Sequence, residues 1–200
     1  MHMSKWGVKT ELILASQSPR REEILKMLGF DFKVEVPDYE EVIPPDMEPK
    51  AVPEFLARGK VLALKNKNPN ALILGSDTVV LLGNKILGKP KNSEHAYEML
   101  LELNGNKHQV VTGVALAQDG RILDSGHSVT EVTFAAVSAQ QLNAYAHSQE
   151  PMDKAGAYAI QGVGAFLVEQ VNGCFYNVMG LPIQLTLRML SSHLSEERND

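Results

Sequence analysis

The spacing of apolar and polar residues divides this 200-residue chain into short segments of changing period. Residues 11–15 are a largely aliphatic run and predict a buried strand. The polar turn Ser16-Gln17-Ser18 follows, with Ser18 placed as N-cap and Pro19 at the first helical position, where its missing N–H removes no bond. Ile24, Leu25 and Leu28 give that helix one apolar face, and Gly29 ends it. Residues 31–36 alternate like a strand, with Phe32, Val34 and Val36 on one side, before a break at 37–41 and a proline-rich loop over 42–50. Pro53 opens a second helix that turns Phe55, Leu56, Leu62 and Ala63 inward, with Lys60 at the border of the stripe and Asn68-Pro69-Asn70 as its stop.

Residues 71–75 predict a second short aliphatic strand with Asp77-Thr78 at its end. Residues 79–82 and 85–87 read as hairpin arms around Gly83-Asn84. Ser93 is placed as cap of a helix burying Ala96, Met99, Leu100 and Leu103, which Asn104-Gly105 stops. Residues 108–117, 121–124 and 128–137 read as antiparallel strands, the first two joined through Asp119-Gly120. Ser138 and Gln141 form a capping box for a helix to about His147. The glycine-rich 151–164 stretch is irregular, and 166–171 and 174–179 read as strands paired around Asn172-Gly173. Gly180-Leu181-Pro182 starts a final helix carrying Ile183, Leu187, Leu190 and Leu194. Strands and helices mix without strict alternation, which predicts a mixed α/β sheet flanked by helices. One domain over 10–194 is expected, with 1–9 as an extension whose Met1-His2-Met3 looks like a cloning remnant and 195–200 as a mobile tail.

Composition narrows the function classes. Hydrophobic and charged shares of 44% and 22% are those of an ordinary globular protein. No apolar run reaches the ~18 residues of a membrane span, and the first residues do not read as a signal peptide, so no membrane partner is expected. The lone Cys174 cannot form an internal disulfide, and a reducing cytosolic setting is the default. A net charge of −5 argues against a general nucleic-acid binder but allows a small anion held by a local basic cluster.

Such a cluster stands at the first helix. Arg20 and Arg21 fall in its first turn, where the dipole is already positive and each cation costs roughly 0.3–1 kcal/mol. Two guanidinium forks, two hydroxyls and free backbone N–H groups converge there, an arrangement suited to an anion; two solvated surface arginines are the plainer alternative. Residues 83–89 have the spacing of a P-loop, but Pro90 replaces the Ser or Thr that would hold magnesium, and the interior reads as a hairpin arm. Gly162-Val163-Gly164 lacks the third glycine of a dinucleotide fingerprint. His95, His108, His127, His147 and His193 lack zinc spacing, and no G-x-S-x-G surrounds Ser16 or Ser18.

Asp77 occupies the kind of strand-end position where α/β sheets place ligands, and could bind a divalent cation or accept a proton from water; capping a turn is its ordinary alternative. Glu40-Glu41 offer further carboxylate, and Lys60 and Lys89 could reach phosphates, though solvated loops and surfaces hold such residues more often. Asp153-Lys154 and Gln161 lie where a flexible loop is the simpler reading. Taken together, these acids, bases and a helix N-terminus suit metal-assisted hydrolysis of a polyphosphate.

Residues 15–25 (ASQSPRREEIL), PDYEE at 37–41, the Lys60 region, GSDTVV at 75–80, LGKP at 87–90, TGVAL at 112–116, EPMDKAGAYAIQG at 150–162 and NVMGLP at 177–182 resemble, in that order, the Maf family of nucleoside triphosphate pyrophosphatases. The resemblance implies a mixed twisted sheet flanked by helices, in two lobes with a deep cleft, as in the related inosine triphosphatases. It implies a cytoplasmic enzyme that uses a divalent cation, magnesium or manganese, to release pyrophosphate from a nucleoside triphosphate. A homodimer is the assembly it suggests. By resemblance, Asp77 is the proton acceptor and a metal residue, Glu41 a second acid whose role Glu40 could take, and Ser16, Arg20, Arg21, Lys60 and Lys89 hold phosphates. Arg20, Thr78 and Gln161 are positions tied to substrate choice, and their combination resembles the dTTP/UTP branch, with Ala159 where glycine is commoner. A nucleotide-binding regulator of septum formation with incidental hydrolysis is the alternative the family also suggests.

Overall fold

In the computed structural model, residues 10–65, 67, 68 and 70–194 are described. The expected 1–9 extension, the 195–200 tail, Pro69 and the side chain of Leu194 lie outside the described residues. Among the described residues seven strands form one mixed sheet, paired in the order β2-β1-β3-β5-β6-β7 with β4 on β3, and helices flank it. Among the described residues no helix is long and apolar enough to cross a membrane. The described residues divide into two compact units, one made of those up to 77, 112–128 and those from 180 on, the other of 78–111 and 129–179.

In the first unit, β1 (Leu12–Ala15) is buried at all four positions and lies parallel to β2 (Lys33–Glu35) and to the start of β3 (Leu72–Leu82). The register Leu12↔Leu72 and Ala15↔Gly75 sets two aliphatic runs side by side. Between β1 and β2 lies α1 (Pro19–Leu28), which buries Ile24 and Leu25. It closes on Gly29 at φ 80, whose N–H donates to Lys26, while Phe30 N–H donates to Leu25. Ser18 has the extended backbone of an N-cap, yet its hydroxyl caps nothing. Its N–H instead donates to Ser16 Oγ at 3.1 Å, so Ser16 is the residue that folds the turn. Helix α2 (Val52–Ala63) buries Val52, Pro53, Leu56, Ala57 and Val61, a stripe one position away from the predicted one; Phe55, Leu62 and Ala63 are only half-buried. Gly113 lets β5 (Lys107–Gln118) run against that helix start, because a Cβ there would overlap the Pro53 carbonyl and the Glu54 nitrogen.

The second unit packs Val80, Leu87, Leu100, Val110, Val132, Phe134, Leu142, Tyr145, Tyr158 and Leu167 into one core. β4 (Lys85–Leu87) returns along β3 after the Gly83-Asn84 turn, with Val80↔Leu87 opposed. Helix α3 (Ser93–Leu103) buries the four predicted residues, but its cap is Asn92, whose side chain accepts from His95 N–H. The capping box of α4 (Ala139–Ala146) is complete, and the glycine-rich stretch carries three short 3₁₀ segments.

Three further readings of the sequence need correction. Residues 121–124 and 128–134 belong to one strand, β6 (Arg121–Phe134), unbroken through Gly126, and the predicted 135–137 lie beyond its end. Asp77 is inside β3 and not at a strand end: residues 72–82 stay extended because the apolar run resumes at Val79 and pairs with β4. Residues 174–179 do not pair as a strand. β7 (Val168–Asn172) pairs with β6, and the chain then makes the short helix α5 (Phe175–Val178). The Thr130 hydroxyl accepts from Cys174 N–H, and buried Asn177 donates to the Val110 carbonyl and to Thr130 Oγ1, so side chains replace a ladder there. Cys174 is half-buried at this turn, not within an apolar strand. The chain ends its described course in α6 (Ile183–Leu194), whose buried face is Thr186, Met189 and Leu190.

Candidate active site

The first unit gathers most of the residues singled out above. Ser16, 4% exposed, follows β1; Arg20 and Arg21 lie in the first turn of α1; Glu41 lies in the exposed 40–46 loop; Lys60 is in the last turn of α2; and Asp77 is in mid-β3, 8% exposed. Lys60 Nζ pairs with Asp77 Oδ1 and, at 2.8 Å, with Glu41 Oε1. Glu41, rather than Glu40, makes this second pair. The Arg21 guanidinium donates through Nε to the Gly180 carbonyl at 2.8 Å and through one terminal nitrogen to Ser16 Oγ at 3.3 Å. Ser76, fully buried beside Asp77, has its hydroxyl 2.8 Å from that same Gly180 carbonyl and 2.9 Å from the Gly113 carbonyl. One backbone oxygen therefore ties the start of α1 to β3, and this tie sets Arg21 toward Asp77.

The electrostatics follow from burial. Desolvation pushes the Asp77 carboxyl above its ordinary range; the cations of Lys60 and Arg21 oppose this, and Glu41 adds to it. Desolvation lowers the Arg21 guanidinium from its ordinary value, with Asp77 and Glu41 acting against that and the neighbouring Arg20 with it. A buried carboxylate that has lost hydration but is held by cations is a stronger base than an exposed one. Two carboxylates that converge on one cationic position form an all-oxygen donor set. That set suits magnesium or manganese, which take their other ligands from water and substrate phosphates. Among the described residues no group of three His, Cys, Asp or Glu side chains could form a closed metal cage.

Thr78, Lys89 and Gln161 belong to the second unit. Thr78 follows Asp77 in β3 and is half-buried; Lys89, just after β4, and Gln161 are exposed. The segment carrying Gln161 is held at several points. Gly156 N–H donates to the Gly88 carbonyl at 3.0 Å, next to Lys89. Lys154 Nζ donates to the Glu150 carbonyl and to Asp153. Val163 and Gly164 N–H donate to the Glu150 carboxylate at 3.0 and 2.7 Å, so the glycine pair that resembles a nucleotide fingerprint serves a carboxylate of the chain itself. Tyr145, bonded through its hydroxyl to Glu150, accepts from Ala159 N–H at 3.1 Å. Burial pushes Glu150 up, but these hydrogen bonds outweigh it and hold the carboxyl low. Tyr145→Phe leaves the buried Ala159 N–H without its acceptor, which costs about 1–3 kcal/mol. Urea denaturation should show that loss, and hydrogen exchange should show faster opening at residues 159–164; unchanged protection there would overturn the role given to Tyr145.

Sequence reading missed Gly180, whose carbonyl is the shared acceptor, and Ser76. The NVMGLP motif and the position next to Asp77 were the available signals, but neither says which backbone oxygen faces which side chain.

The model for Maf-like proteins matches residues 11–193. The chain belongs to the Maf family. Among its relatives, the dTTP/UTP pyrophosphatase of Salmonella typhimurium is 47% identical over 183 residues, covering 91% of this chain and 92% of that one. The dTTP/UTP pyrophosphatase of Desulforamulus reducens is 43% identical over 174 residues, covering 86% of this chain and 91% of the relative. That of Aquifex aeolicus is 42% identical over 179 residues, with 90% and 93% covered. Among solved structures, the Staphylococcus aureus Ham1 protein superposes with a TM-score of 0.56 at 18% identity, covering 92% of this Maf chain and all of that one. That likeness concerns the fold alone.

Proposed function

We propose that this Maf-family protein is a cytoplasmic enzyme that hydrolyses dTTP and UTP to the monophosphate and pyrophosphate. The observation that carries the reading is Lys60 held between the Asp77 and Glu41 carboxylates, in the unit where Arg21, in the first turn of α1, donates to Ser16. Support for the substrate comes from relatives of 42–47% identity, along nearly their whole length, that are dTTP/UTP pyrophosphatases.

In this reading Asp77 and Glu41 would hold a magnesium or manganese ion, which when bound would offset the charge of the phosphates. Asp77 takes a proton from the attacking water. The water oxygen bonds to the α-phosphorus, the bond from that phosphorus to the α–β bridging oxygen breaks, and its electron pair leaves with pyrophosphate. Ser16, Arg20, Arg21, Lys60 and Lys89 bind and orient the triphosphate, and Arg21 is pre-aimed by the Gly180 carbonyl. Thr78, Gln161 and Arg20 act on substrate choice.

The test is turnover of a panel of nucleoside triphosphates with magnesium or manganese. Pyrophosphate from dTTP and UTP, at a kcat/KM well above that for purine nucleotides, is the expected result. Release of orthophosphate would overturn the bond assignment, and a purine preference would overturn the substrate.

A further inference from the structure

Helix α2 carries a glycine at position 59, one residue before Lys60, where only proline would favour a helix less. Space explains it. A Cβ on Gly59 would fall on the phenol ring of Tyr39, overlapping Cζ and Oη and lying 2.6 Å from Cε2. The ring thus rests on bare helix backbone. Tyr39 is half-buried, whereas every residue from Glu40 to Asp46 is exposed. Val42 N–H donates to the Glu40 carbonyl at 3.0 Å, which puts Glu41 at the apex of a tight turn two residues after the ring. From that apex Glu41 reaches Lys60 at 2.8 Å.

We propose that Tyr39 is a positioning residue for the reaction: seated on Gly59, its ring holds the 37–41 loop against α2 so that the Glu41 carboxylate stands at Lys60 beside Asp77. An acid on an exposed loop would otherwise sample many positions, and ordering it would have to be drawn from substrate binding. The ring supplies that order beforehand. The inference rests on the pyrophosphatase reading for its kinetic consequences, while the packing itself stands on unit-internal geometry.

The test is a set of variants measured for kcat, KM, Tm and the affinity for manganese(II) titrated alone and followed by electron paramagnetic resonance. Gly59→Ala expels the ring, and the exposed loop yields easily, so Tm should hold or rise. In contrast kcat should fall by about tenfold to a hundredfold, as expected of a misplaced group, and manganese affinity should weaken. Tyr39→Phe, which keeps the ring, should match wild type; Tyr39→Val should resemble Gly59→Ala. Adding Gly59→Ala to Tyr39→Val, or to Glu41→Gln, should change nothing further. Full activity and unchanged manganese affinity in Gly59→Ala would overturn the proposal, as would an undiminished loss in the Tyr39→Val or Glu41→Gln background. If the wild-type protein releases no pyrophosphate, the reaction assignment fails, and the manganese and Tm arms still decide whether the ring orders Glu41.

Discussion

Asp77→Asn is expected to lower kcat for dTTP by about 10²–10⁴-fold, the range for loss of a positioned general base. The amide keeps the shape of the carboxylate but cannot take the proton from water. Asp77 is 8% exposed and desolvated, so its charge is a burden on the fold that Lys60 and Arg21 relieve. Removing the charge leaves Lys60 its pair with Glu41 and Arg21 its bonds to the Gly180 carbonyl and Ser16 Oγ, so the fold should be retained. The arginines at α1 remain, so triphosphate affinity measured by calorimetry should persist. A variant with near-normal turnover would remove Asp77 from the chemistry. A variant that lost stability and activity together would show that the residue holds the fold instead.

The second large effect is on stability and concerns acid. His108, 2% exposed, has its ring edge-on to Phe134 and to Tyr158, with centroids 4.9 and 5.4 Å apart. Its Nε2 lies 2.9 Å from the Tyr158 hydroxyl, and its buried Nδ1 has no hydrogen-bond partner among the described residues. Among the described residues no carboxylate stabilises the imidazolium there, and desolvation lowers the pKa from 6.5 to about 4. The unfolded chain binds a proton near pH 6.5, while the folded one resists it until about 4. The stabilisation is therefore complete above pH 6.5 and is lost as pH falls toward 4; carried through linkage, that gap is about 3 kcal/mol. Urea melts between pH 7 and 4 should show it. In His108→Gln, whose amide can still meet Tyr158, the acid slope should shrink by that amount. An equal slope in the variant would assign the acid sensitivity elsewhere.

What the sequence determined by itself is what depends on neighbours along the chain. The aliphatic run before Ser16, Pro19 at the helix start, Gly29 at its end, the Gly83-Asn84 turn and the Ser138–Gln141 box all carry their own stereochemistry, and the structure has each in place. The cations at α1 were legible as an anomaly for the same reason, since the dipole is a local property. Other outcomes depended on partners far off in sequence. The apolar run that resumes at Val79 allows β3 to continue through Asp77, but the pairing of Val80 with Leu87 decides it. Local pattern does not turn residues 175–178 into helix; Thr130 and Val110, more than forty residues away, take up their polar groups. Likewise, the Gly180 carbonyl under Arg21, and Tyr39 on the bare face of Gly59, follow from three-dimensional approach. Local stereochemistry is written in adjacent residues. Which carbonyl receives a guanidinium, and which glycine receives a ring, is settled only when distant segments compete for the same buried space.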